Sequence, residues 1–131
     1  VTAEQVAEAH RILETDSSPD RRERAMVTLV RDREKANRDL FVATLRDMSE
    51  DPNVRAAAAT GLARIGALDT VPDLLDAMDD DAAIVRARAG AAVAHLIHRN
   101  YYFNANAPRE ERLMVIDNIR RSEPGSWREG N

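Results

Sequence analysis

The chain has 131 residues, of which 44% are apolar and 32% charged, with a formal net charge of −4; this is the length of one domain with a real core, and the balance of a folded chain. The absence of cysteine excludes disulfides, thiol catalysis and Cys-based zinc sites, and no apolar run reaches the length of a membrane span or the pattern of a signal peptide. The acidic balance removes any bulk attraction to nucleic acid or anionic membrane, although it leaves room for a local basic face.

Alanine accounts for 22 residues and aromatics for only 4%. A core of Ala and Leu suits closely packed helices, whereas a β-sandwich needs β-branched and aromatic residues. Seven helices are predicted in chain order. Thr2 with Gln5 forms a capping box for the first, 3–14. Ser18 and Pro19 supply an N-cap and a first-turn proline for the second, 19–33. Leu40, Phe41, Leu45 and Met48 line one face of the third, 36–49. Asp51-Pro52 repeats the cap-and-proline signal for the fourth, 52–65, which Gly66 ends. Asp69 caps the fifth, 70–79, with Pro72 in its first turn. The sixth, 83–99, opens after Asp81, and Pro108 opens the seventh, 108–121. Pro124 and Gly125 stop regular structure. Residues 1–121 therefore read as one domain and 122–131 as a mobile tail, except around Trp127. No stretch alternates apolar and polar residues, so no strands are predicted. The chain opens on Val1 rather than Met, as a processed product or a segment of a longer chain would.

Two of these helices repeat. Val54, Arg55, Ala58, Leu62 and Ile65 recur 31 residues later as Val85, Arg86, Ala89, Val93 and Leu96. A weaker copy lies upstream, where Pro19, Arg22, Ala25 and Leu29 echo Pro52, Arg55, Ala58 and Leu62. Self-similarity at such a period is the signature of a stacked array.

Asp-Pro-Asn-Val-Arg at 51–55, the Ala, Leu and Ile-Gly that follow, and Val-Pro-Asp-Leu-Leu-Asp-Ala-Met at 71–78 resemble the HEAT repeat. They are most similar to the bacterial HEAT-like variety also found in phycobilisome lyase subunits. The resemblance implies an all-α, right-handed superhelix of antiparallel helix pairs. The helices at 19–33, 52–65 and 83–99 would be the second of each pair and line its concave side. It also implies a structural ladder in which turn aspartate and helix arginine tie neighbouring repeats, here Asp51 with Arg55 and Asp81 with Arg86. The ends of an array must be covered, and Tyr101, Tyr102 and Phe103 read as the C-terminal cap.

Candidates for chemistry are sparse. His95 and His98 have a spacing that can place two imidazoles on a metal, but no third ligand is evident. Asp79, Asp80 and Asp81 match no calcium-loop spacing and read as a solvated turn. No phosphate loop, nucleophile elbow or Ser/His/Asp constellation appears. No enzyme, metal or cofactor is therefore expected.

Charge layout says more. Of the 19 basic residues only Lys35 is not Arg. Arginine suits forked contacts to carboxylates, although genomic base composition also explains the bias. Segment 66–81 holds six aspartates and no Lys or Arg, whereas 52–65 and 83–99 hold arginines and no acids. If alternate helices face opposite sides, the concave side is basic and the convex side acidic. Arg24, Arg31, Arg64, Arg88, His95 and Arg99 would form a concave stripe. The expectation is a cytoplasmic scaffold that binds an acidic peptide or protein surface there. The alternative is a subunit of a protein-modifying, lyase-like enzyme. The pI of about 5.4 and the lack of stacking aromatics argue against nucleic acid.

Overall fold

A computed structural model describes residues 1–123 and 127. It contains α1 (Ala3–Thr15), α2 (Pro19–Asp32), α3 (Arg38–Arg46), α4 (Pro52–Arg64), α5 (Val71–Ala77), α6 (Ala83–Ile97) and α7 (Arg109–Ser122). Short 3-10 turns at Lys35–Asn37 and Leu68–Thr70 lead into α3 and α5. There is no strand among the described residues, and no helix there is long and apolar enough to cross a membrane. Most of the expected tail, 122–131, lies outside the described residues. Trp127 is buried in the core.

Local chemistry sets the helix ends. The Gln5 backbone N–H donates to Thr2 Oγ1 at 3.1 Å, and the Thr2 N–H donates to Gln5 Oε1 at 2.8 Å, completing the capping box of α1. Asp51 Oδ1 accepts from the Asn53 N–H at 2.9 Å, and Pro52 occupies the first turn of α4. That helix closes with Ala67 N–H donating to Leu62 O and Gly66 N–H to Ala63 O, the paired bonds of a Schellman motif. The motif needs a left-handed residue, and Gly66 has φ +70°. At the end of α6 the same left-handed position is held by His98, φ +57°, while Arg99 N–H donates to Ala94 O.

Two helices are shorter than expected. α3 stops at Arg46 because Asp47 Oδ1 accepts from the N–H and hydroxyl of Ser49, turning the chain. α5 stops at Ala77, where Asp80 N–H donates to Ala77 O.

α2, α4 and α6 lie side by side in one layer, backed by α1, α3 and α5 respectively. The core between the layers holds Met26, Leu29, Phe41, Leu45, Val54, Leu62, Leu74, Leu75, Met78 and Val85. α4 is enclosed by α2, α3 and α6, which explains its low amphipathicity: Ala56, Ala58, Ala59, Leu62 and Ala63 are all buried on it. Gly61 lets Phe41 of α3 approach, since a Cβ there would meet the ring at 2.7–2.9 Å.

Candidate functional site

Three groups of arginines organise this molecule. In the first, Arg22, Arg55 and Arg86 occupy the first turns of α2, α4 and α6 and reach between repeats. Arg22 donates to Leu13 O and Asp16 O and pairs with Glu50 at 2.5 Å. Arg55 donates to Leu45 O and pairs with Asp80 at 2.5 Å, with both side chains about 95% buried. Arg86 donates to Asp80 O, Asp81 O and Ala105 O, fastening the loop that leads to α7. The carboxylates on these arginines are Glu50 and Asp80, each one residue ahead of the expected Asp51 and Asp81. Asp51 is occupied in capping α4, and only the carbonyl of Asp81 reaches Arg86. Burial pulls the Asp80 carboxyl upward, but the Arg55 hydrogen bond, the Ala82 N–H and the nearby guanidinium charges outweigh it and hold it below the usual range.

The second group clamps the outer layer. Arg38 pairs with Asp69 at 2.6 Å, and Arg46 with Asp73 at 2.6 Å and Asp76 at 3.0 Å. From the other side, Arg120 of α7 reaches Asp76 at 3.0 Å and Arg109 reaches Asp79 at 2.9 Å. Asp69, Asp73, Asp76 and Asp79 are therefore held by arginines of α3 and α7, and Asp80 by Arg55 of α4. The acidic convex face expected from the run of aspartates is largely neutralised. The arginines that do this lie outside the segment, on α3, α4 and α7.

The third group has no carboxylate within ion-pair distance among the described residues: Arg24, Arg31, Arg64 and Arg88. All four are exposed. Arg31, Arg64 and Arg88 come from α2, α4 and α6 and meet in one groove of about 600 Å3. Its other lining residues are Glu23, Val27, Val30, Asn53, Ala56, Ala57, Thr60 and Ile84. α4 runs along the bottom, and its small Ala56, Ala57 and Thr60 leave a trough between the aliphatic residues of its neighbours.

The six residues expected to form one stripe are divided. Arg31, Arg64 and Arg88 share this groove. Arg24 lines a separate hollow between α1 and α2 and makes a 3.4 Å contact with Asp20 O. His95 and Arg99 line a third hollow, with Tyr101 and Phe103. Arg99 lies 3.5 Å from Glu123 and 5.6 Å from the Tyr101 ring centroid. No carboxylate lines that hollow among the described residues. The ring centroids of His95 and His98 are 6.5 Å apart, and no cluster of metal-ligating side chains is present among the described residues.

The expected aromatic cap also divides. Tyr101 and Phe103 are half-buried, with Phe103 lying over Gly90 of α6, whereas Tyr102 has φ +57° and is 84% exposed.

A layer of repeated helices backed by a second layer, with arginines bridging successive repeats, defines an α-solenoid. A family model described as HEAT repeats matches residues 6–94, and the chain belongs to that family. No curated protein and no solved structure shows significant similarity to it. HEAT-repeat proteins are typically protein-interaction scaffolds and generally not enzymes.

Proposed function

We propose that this chain is a protein-interaction scaffold whose α2–α4–α6 groove receives an acidic peptide or an acidic protein surface. One observation carries the reading. Arg31, Arg64 and Arg88 converge on a single groove without carboxylate partners among the described residues, while the inter-repeat arginines are tied up elsewhere. Glu23 is the groove's one acidic lining residue, so cations are in surplus there. Such a surplus attracts and orients an anionic partner. The groove's aromatic-free lining disfavours nucleic acid, which gains much of its affinity by stacking.

The test is fluorescence anisotropy of a labelled glutamate-rich peptide at low and moderate salt. Binding should weaken as salt rises and disappear in the Arg64→Glu/Arg88→Glu double variant, with the circular dichroism spectrum unchanged. Binding indifferent to those substitutions, or a single-stranded oligonucleotide that binds as tightly as the peptide, would overturn the proposal. Affinity purification from the native host with wild-type and variant baits then identifies the partner.

A further inference from the structure

The repeat register arranges the cations of the α2–α4–α6 layer in a definite order. The three helices begin at Pro19, Pro52 and Ala83, and the fourth residue of each is a bridging arginine, Arg22, Arg55 or Arg86, that donates to carbonyls of the helix end or turn before it. These equivalent bonds set the helices level, so residues of equal rank stand side by side. The thirteenth residues are Arg31, Arg64 and His95. All three are exposed, and none makes an ion pair among the described residues. His95 lines the hollow beyond α6 rather than the groove, yet it takes on α6 the place that Arg64 takes on α4 and carries the row across the third helix.

The surroundings set this row apart. One turn earlier the ninth residues are Val27, Thr60 and Ala91, all uncharged. The acid beside Arg31, Asp32, takes the position at which Ile65 and Leu96 are buried, and it does not line the groove. Arg88 is a sixth residue, level with Ala57 and about 10 Å short of the row along the helix axis. Glu23, the acid that does line the groove, is a fifth residue. One end of the groove thus pairs an arginine with an acid by level, whereas the other holds two arginines and no acid.

We infer that the acidic partner segment crosses the three helices along the row Arg31–Arg64–His95, extended in a polyproline-type conformation with a carboxylate at every third residue. Packed helices lie about 8–10 Å apart, which sets the spacing of the rungs. A polyproline-type chain has three residues per turn and returns a side chain to the same face every ~9.3 Å. A β-strand does so every ~6.6 Å and falls out of step by the second rung. Two carboxylates meet guanidinium groups and the third accepts an N–H from the imidazole. Arg88, off the row, adds attraction without register. The inference rests on the acidic-partner reading and adds the path, conformation and spacing of the segment.

The experiment compares two labelled twelve-residue peptides of four glutamates and eight prolines. One has glutamate at every third position; the other has the same residues ordered so that no two glutamates lie three or six apart. Wild-type protein should bind the first roughly fivefold more tightly, the effect of two additional exposed charge contacts. In His95→Glu, an exposed substitution whose circular dichroism spectrum should match wild type, that preference should disappear, whereas Arg88→Glu should weaken both peptides alike and preserve it. Equal binding of the two peptides that still depends on Arg64 would overturn the row and leave the acidic-partner reading standing, as would binding of the flexible glutamate-rich peptide but of neither proline peptide. A spacing preference that survives His95→Glu would overturn the path as drawn. If none of the three peptides binds, the acidic-partner reading falls, and the row with it.

Discussion

Asp80→Asn tests the inter-repeat ladder at its most buried rung. The substitution keeps the side-chain shape and an acceptor for the Ala82 N–H, which lies 2.9 Å from Oδ2, but it removes the charge opposite Arg55. The Arg55 and Asp80 side chains are 5% and 4% exposed. Leu45 O still accepts from Arg55 Nε and Nη2, so the guanidinium keeps a neutral partner, but it loses its counter-ion and the Nη2 bond to Oδ1, where the amide now presents a donor. Removing one member of a buried pair costs about 3–5 kcal/mol, because the remaining charge is left uncompensated. The retained carbonyl bonds place the expectation near 3 kcal/mol. With an unfolding entropy of about 2.1 cal/mol/K per residue, that is a fall in Tm of about 11 °C. The assay is thermal and urea unfolding followed by circular dichroism, at pH 7 and in low and moderate salt. Two controls sharpen it. Glu50→Gln removes the partner of Arg22, where the side chains are 22% and 10% exposed, and should cost clearly less than Asp80→Asn. In an Arg55→Met background, Asp80→Asn should cost under about 1 kcal/mol, since no buried charge is left stranded. A loss below about 1 kcal/mol in the wild-type background, or the same loss in the Arg55→Met background, would refute the reasoning.

Two other predictions concern the core and acid. Gly61→Ala should destabilise by about 1–3 kcal/mol, because the new methyl meets the fully buried Phe41 ring at 2.7–2.9 Å; recovery in Gly61→Ala/Phe41→Leu, measured by urea midpoint, would assign the loss to that contact. Asp80 has its carboxyl lowered in the folded state, with burial opposing and the Arg55 hydrogen bond prevailing; Asp79 is lowered chiefly by Arg109. The unfolded chain therefore takes up protons first: the stability these groups contribute is complete above the unfolded carboxylate range, near pH 4, and is lost as pH falls through their depressed folded values. Urea midpoints measured from pH 6 down to pH 2.5 should drop less steeply in Asp80→Asn, and equal slopes would contradict the assignment.

The local features of this molecule were legible in the chain. Thr2, Ser18, Asp51 and Gly66 act on backbone groups a few residues away, so their effects follow from short-range hydrogen bonding and steric preference. The repeat spacing likewise brought Arg55 and Arg86 to equivalent places, because equivalent helices pack in equivalent ways. Partner choice between helices was decided only in three dimensions. Glu50 and Asp80 take the arginines rather than Asp51 and Asp81, since reach across a repeat depends on how the turn between helices folds, and one residue changes which carboxylate faces inward. The aspartates between 69 and 79 look like an acidic face in one dimension and become counter-ions to arginines of α3 and α7 in the fold. The expected basic stripe fares similarly. Helical periodicity placed its members on one class of helix, but packing set which of them meet: Arg31, Arg64 and Arg88 converge, Arg24 stays beside α1, and His95 and Arg99 lie with the aromatic turn. Helices are specified by contacts within a few residues of chain, whereas a groove is specified by the distance between side chains from three of them, and only the tertiary structure fixes that distance.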